Sequence, residues 1–135
     1  MPERNFKLEI VTPQRVVYDG SVVSFTAPGT VGSFQVLYNH APLLSSLRAG
    51  EIKLANDRGA AMSYATSGGF VEVNANKVIL LAETAERSDE IDVKRAGEAK
   101  RRANERLQKK ANVDEQRARA ALVRALNRLK IAESN

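Results

Sequence analysis

Leu80-Leu81-Ala82-Glu83-Thr84-Ala85-Glu86-Arg87-Ser88-Asp89-Glu90-Ile91-Asp92-Val93-Lys94-Arg95-Ala96 is where this chain changes its alphabet. Upstream lie all seven aromatics (Phe6, Tyr18, Phe25, Phe34, Tyr38, Tyr64, Phe70), all four prolines and every glycine except Gly97. Downstream the composition is Ala, Arg, Lys, Glu and Leu. Gly, Pro and aromatics punctuate and fill β structure, whereas the downstream set is helical. The charge divides at the same place. Residues 1–86 carry 7 Lys and Arg against 8 Asp and Glu, net −1; residues 87–135 carry 14 against 8, net +6. Two units are expected, 1–87 and 88–135.

Working back from the joint, Phe6, Leu8 and Ile10 alternate with Lys7 and Glu9, the pattern of a half-buried strand. Val16–Tyr18 and Val22–Thr26 read as two further strands around an Asp19-Gly20 turn. Pro28-Gly29 breaks the next run. Ile52–Leu54 and Ala60–Tyr64 flank Asn56-Asp57-Arg58-Gly59, a hairpin turn, and Phe70–Val73 and Val78–Leu81 flank Asn74-Ala75-Asn76, another. Punctuation every 8–12 residues indicates an all-β sandwich or barrel, with the aromatics available to close its core.

Working forward, Asp92 is an N-cap for a helix running to about Ala111. Its small apolar positions, Ala96, Ala99, Ala103 and Leu107, are spaced by three or four. Asn112-Val113 breaks it. Asp114 caps a second helix with Ala118, Ala121, Leu122, Ala125, Leu129 and Ala132 on one side. Two helices joined by a tight turn form an antiparallel hairpin. Its alanine stripe lets the helices approach closely but buries little, so the hairpin is expected to be marginal and able to refold or dock elsewhere. In such a hairpin Arg95 and Arg102, seven apart, stand level with Arg124 and Arg128, four apart. Four guanidinium groups from two helices then converge, and a polyanion would stabilise them because their forks fit phosphate oxygens. Taken alone, the spacing favours the plainer reading, the solvated faces of amphipathic helices.

Much chemistry is excluded. The chain has no cysteine, so disulfides, zinc ribbons, iron–sulfur clusters and thiol catalysis are ruled out. Its one histidine, His40, has no evident nucleophile partner and reads as a loop or interface residue. Ser67-Gly68-Gly69 lacks the lysine of a phosphate loop and reads as a bulge or turn. Glu83 and Glu86 are the only candidate acid–base pair, and such residues more often solvate a linker. No apolar run approaches the roughly 18–20 residues of a membrane span. No secretory signal is apparent, so a cytosolic or cytosol-facing protein is expected.

Four stretches resemble the ε-subunit family of rotary F-type ATP synthases: Asn39-His40-Ala41-Pro42-Leu43-Leu44, Ser67-Gly68-Gly69-Phe70-Val71-Glu72-Val73, Ala85-Glu86-Arg87 and Ile91-Asp92-Val93-Lys94-Arg95-Ala96. The resemblance covers nearly the whole chain. It implies a β-sandwich of about ten strands followed by an antiparallel α-helical hairpin. It implies a non-catalytic rotor subunit joining the γ shaft to the c-subunit ring, peripheral on the cytoplasmic face of the cell membrane and without membrane insertion of its own. The hairpin would restrain ATP hydrolysis, docking against an acidic loop of the catalytic β subunits. No cofactor is required, but regulatory ATP, with or without Mg2+, would bind the folded hairpin. The family's Ile/Leu-Asp-x-x-Arg-Ala motif carries that binding onto Asp92 and Arg95, and matching the flanking segments carries it onto Glu86, Arg102, Arg124 and Arg128. Asp92 would hold either the adenosine end or the helix cap, and the arginines the phosphates. The ring and γ interface falls on Gly32, Ser33, Phe34 and His40. Many members read Gly-acidic-Leu-Gly-Ile-x-Pro-Gly-His where this chain has Gly32-Ser33-Phe34-Gln35-Val36-Leu37-Tyr38-Asn39-His40, so Ser33 stands at the acidic position. The competing reading, a nucleic-acid adapter using the basic hairpin, meets a segment without aromatics for base stacking and with eight interspersed carboxylates.

Overall fold

A computed structural model describes residues 4–109 and 115–133 of the 135-residue chain. It divides into two compact units, Met1–Arg87 and Ser88–Asn135.

Among the described residues the first unit holds nine strands: β1 (Phe6–Val11), β2 (Val16–Gly29), β3 (Gly32–Val36), β4 (Leu43–Leu47), β5 (Gly50–Asn56), β6 (Ala61–Thr66), β7 (Gly69–Asn74), β8 (Lys77–Ala82) and β9 (Ala85–Arg87). They join in the order β1-β8-β7-β4-β2-β5-β6-β9, with β3 on β2. β1 also pairs with β2, which folds the sheet back on itself. The β1–β8 pair is parallel and all others are antiparallel. The alternation read from Phe6, Leu8 and Ile10 is real: all three are buried, with Val22, Phe25 and Ile52. Of the aromatics, Phe6, Phe25 and Tyr64 fill this core, while Tyr18 and Phe34 pack against its edge. Phe70 and Tyr38 are exposed, contrary to the expectation that all seven close the core.

The resemblance implies about ten strands, and the nine found are the same sandwich with one segment drawn differently. Asp19-Gly20 is not a turn. β2 runs fourteen residues straight through it, because β1 lies alongside and pairs Glu9 with Asp19 and Leu8 with Gly20. A cross-strand partner outweighs the local turn preference of the dipeptide. The other two turns form where expected. In the β5–β6 loop the Asn56 Oδ1 accepts from the Arg58 and Ala60 amides at 3.0 and 2.9 Å. The β7–β8 turn places Ala75 and Asn76 at φ 49° and 60°, the two left-handed residues of a type I′ hairpin.

The second unit opens with a 3-10 turn, Ser88–Glu90, followed by α1 (Val93–Lys109) and α2 (Glu115–Glu133). The expected break at Asn112-Val113, the Asp114 cap and the last residues of the first helix lie outside the described residues. Ala96 and Ala103 of α1 and Ala118 and Ala125 of α2 are buried, each pair seven apart. The helices therefore pack through their alanines, the close approach that small side chains allow.

Candidate functional site

The hairpin is built from the start of α1 outward. Asp92 is its N-cap: the Asp92 Oδ1 accepts from the Arg95 amide at 3.0 Å, and the Asp92 carbonyl accepts the first helical bond from the Ala96 amide at 2.9 Å. Ile91 before it and Ala96 after it are both buried.

The alanine seam orients the arginines. At about 100° per residue, Arg95 and Arg102 stand about 90–110° to one side of the Ala96–Ala103 stripe. Arg124 and Arg128 stand about 70–110° to the same rotational side of the Ala118–Ala125 stripe. In an antiparallel pair, equal rotation from the seam brings both sets to one face. The four arginines expected from spacing thus share a face of the hairpin. Arg95, Arg102 and Arg124 are exposed; Arg128, nearest the seam, is half-buried with its Nε shielded from water, and it is already engaged by a neighbour. Elsewhere on α1, Arg101 pairs with Glu105 at 2.9 Å. On α2 the apolar Val123 and Leu126 are exposed. Glu86 belongs to the sandwich unit: it is half-buried in β9, opposite Ala65 of β6.

The residues assigned to the ring and γ interface sit at the two ends of β3. Gly32 opens the strand at φ 139°, a region that favours glycine. Ser33 pairs with Pro28 and is exposed, and Phe34 pairs with Ala27 with its ring over Gly29, where an added Cβ would come within 3.1 Å of it. The β2–β3 turn is braced by the Thr30 and Ser46 hydroxyls at 2.9 Å, and at its tip Val31 is fully exposed. His40 follows β3 in a loop whose conformation is held by neighbours. Its Nδ1 lies 2.7 Å from the Ala41 carbonyl. Asn39 and Asn76 clasp each other, the Asn39 amide donating to Asn76 Oδ1 at 2.7 Å and Asn76 Nδ2 donating to Asn39 Oδ1 at 3.0 Å.

Sequence reading misses an apolar face of the sandwich. Register places Val11, Leu81, Phe70 and Ser46 in one row across β1, β8, β7 and β4, and Glu9, Ile79, Glu72 and Leu44 in the next. Leu44, Phe70 and Leu81 are 74%, 59% and 55% exposed. Beside them a shallow apolar groove of about 340 Å³ runs along Val11, Thr12, Pro13, Phe70 and Leu81. Clustered, outward-facing apolar side chains on an otherwise polar sheet face mark an interaction surface. The available signal was Leu44 and Leu81, each one residue out of phase with its strand's buried set.

Two family patterns match the chain. Residues 5–88 match the ATP synthase delta/epsilon chain β-sandwich domain, and residues 89–133 match the ATP synthase delta/epsilon chain long α-helix domain. The chain is 44% identical to the ATP synthase epsilon chain of Desulforamulus reducens over 94% of its own length and 96% of that protein. It is 46% identical to that of Moorella thermoacetica over 95% and 96%. It is 50% identical to that of Pelotomaculum thermopropionicum over 82% and 81%. Among solved structures it superimposes on a chain of the Euglena gracilis mitochondrial ATP synthase, solved as OSCP, F1 and c-ring in rotational state 1, with TM-score 0.79 and 19% identity, covering 98% of this chain and 83% of that one. A chain of the Tetrahymena thermophila mitochondrial ATP synthase central stalk and c-ring matches with TM-score 0.65 and 14% identity, covering 98% and 99%. At those identities the two structures speak for the fold.

Proposed function

This chain belongs to the ATP synthase delta/epsilon family as an epsilon-type member, and from that premise we propose that it is a non-catalytic rotor subunit whose sandwich docks on γ and the c ring while its hairpin answers to ATP. The observation that carries the regulatory half is what holds the hairpin together. Among the described residues from 88 onward the buried apolar ones are Ile91, Ala96, Ala103, Ala118, Ala125 and Ile131, four of them alanines. An alanine seam returns little hydrophobic free energy against the entropy of ordering two helices. A unit so held is easily shifted between conformations by what it binds.

The sandwich supplies the fixed part. Its apolar row of Val11, Phe70 and Leu81, with Leu44 beside it, suits a permanent partner, since obligate interfaces are the more apolar ones. We assign this face to γ. The β2–β3 tip with Gly32, Ser33 and Phe34, and the His40 loop, face the c ring and its junction with γ. Ser33 in place of an acidic residue leaves that contact to shape and apolar packing, with Val31 foremost. Among the described residues no helix is long and apolar enough to cross a membrane. On this reading the chain sits peripherally at the cytoplasmic face of the membrane, held there by the complex.

The hairpin supplies the movable part. Arg95, Arg102, Arg124 and Arg128 share a face, and that donor set fits a triphosphate: guanidinium groups bind phosphate oxygens as forks and carry no acceptor to repel them. Bound ATP would neutralise their mutual repulsion and favour the folded hairpin. Released, the basic helices, with Val123 and Leu126 exposed, suit an acidic surface such as the β-subunit loop and an apolar groove along γ. Calorimetric titration of ATP into the full chain tests this. Saturable heat is expected, lost when Arg95 and Arg124 are replaced; no heat at millimolar ATP would leave the arginines as a solvated face and remove the nucleotide response.

A further inference from the structure

The stretch Ile91-Asp92-Val93-Lys94-Arg95-Ala96 can be accounted for residue by residue as the start of a helix. Asp92 is the N-cap, spending its Oδ1 on the amide of Arg95, the third helical residue. Its own carbonyl takes the amide of Ala96, the fourth. Ile91 and Ala96 are both buried and stand at the two positions of a hydrophobic staple, which fixes the angle at which the chain enters a helix. The first turn of α1 carries no acidic residue, so the Asp92 carboxylate is the anion that answers the positive end of the helix there. Val93, Lys94 and Arg95 remain exposed, and of these Arg95 carries the guanidinium.

We propose that Asp92 is a positioning residue of the nucleotide site and not a ligand of the nucleotide: it sets affinity by holding the first turn of α1, and Arg95 with it, in helical form. This rests on the nucleotide reading above. The mechanism is a population effect. A hairpin whose first turn is formed only part of the time binds with an affinity reduced by that fraction. The cap raises the fraction by tying the backbone of the same residue whose side chain meets the phosphates. The carboxylate charge does no binding of its own; near a triphosphate it repels. Its geometry favours binding and its charge opposes it, and the two separate by substitution, because asparagine and serine cap as well as aspartate does and carry no charge.

The test compares Asp92→Asn, Asp92→Ser and Asp92→Ala in the full chain. ATP affinity is read by calorimetry, and protection of the Arg95 and Ala96 amides by hydrogen exchange without ATP. Asp92→Asn and Asp92→Ser are expected to bind within about twofold of the unmodified chain, or more tightly, with both amides protected as before. Asp92→Ala is expected to bind more weakly and to protect the two amides less, the two reductions multiplying to about fivefold, the factor that corresponds to a lost cap. Asp92→Asn binding as weakly as Asp92→Ala while its amides stay protected would overturn the proposal, because the carboxylate would then be a ligand. Equal affinity in all four chains would overturn it too, since the cap would then set nothing. Absence of ATP binding by the unmodified chain refutes the nucleotide reading itself, a failure distinguished from the others because it appears before any substitution is made.

Discussion

Consider the chain with Leu44, Phe70 and Leu81 all replaced by alanine. Full burial of a leucine or phenylalanine is worth about 1.5–3 kcal/mol relative to exposure. Each of these side chains has only its exposed part left to bury, 74%, 59% and 55% respectively, so each adds about 1–2 kcal/mol when a partner covers it. Alanine keeps part of that area, and allowing for it leaves a loss of about 2–4 kcal/mol for the triple variant. In affinity this is about thirty- to a thousandfold. The same residues contribute little to the fold, since none belongs to the buried set. Exposed substitutions of this kind change stability by about 0.5 kcal/mol or less each. The assay is binding of the variant to purified γ, with denaturant unfolding run in parallel. The expected result is weak binding by a normally stable sandwich. Undiminished affinity for γ would show that the face is not the docking surface.

Three further outcomes follow from other parts of the molecule. Gly97 lies inside α1 with open space where a Cβ would be, so Gly97→Ala should stabilise the hairpin by about 1 kcal/mol, seen as slower amide exchange along α1; unchanged exchange would mean that helix propensity does not limit the hairpin. Arg95→Ala and Arg124→Ala should each weaken ATP binding about tenfold to a hundredfold, the scale of a lost charged hydrogen bond, while an Arg101→Ala control, whose partner is Glu105 at 2.9 Å, should not. The Tyr18 phenol is held above its usual 10.0 by burial first and then by Asp57 and Asp19; a raised phenol favours the protonated fold, so the sandwich should lose stability as pH rises through 10.0 and beyond, and Tyr18→Phe should shrink the difference between denaturation midpoints at about pH 8 and about pH 11.

The two-unit organisation was legible because its signals are local. Helical periodicity at Ala96, Ala103, Ala118 and Ala125, the Asp92 cap, and the Asn56–Gly59 and Asn74–Asn76 turns each depend on a few neighbouring residues. What could not be read depends on partners distant in the chain. Asp19-Gly20 carries a turn preference that the β1 pairing overrides. Phe70 looks like core by type, yet its place in β7 turns it outward while Val71 and Val73 turn in. Val11, Leu44, Phe70 and Leu81 are scattered over 71 positions and meet only through three strand registers. The arginines occupy the intermediate case: periodicity put each pair on one side of its own helix, and the buried alanine seam brings the two sides to one face. Glu86 was reached through resemblance alone, and it lies in β9, opposite Ala65 of β6.

If the sandwich docks and the hairpin regulates, a chain ending at Arg87 separates the two roles in the assembled ATP synthase. With that truncated chain in place, the account predicts a complex that still retains it on γ and hydrolyses ATP faster than the complex carrying the full chain. Hydrolysis at the same rate, with the truncated chain demonstrably bound, would contradict it.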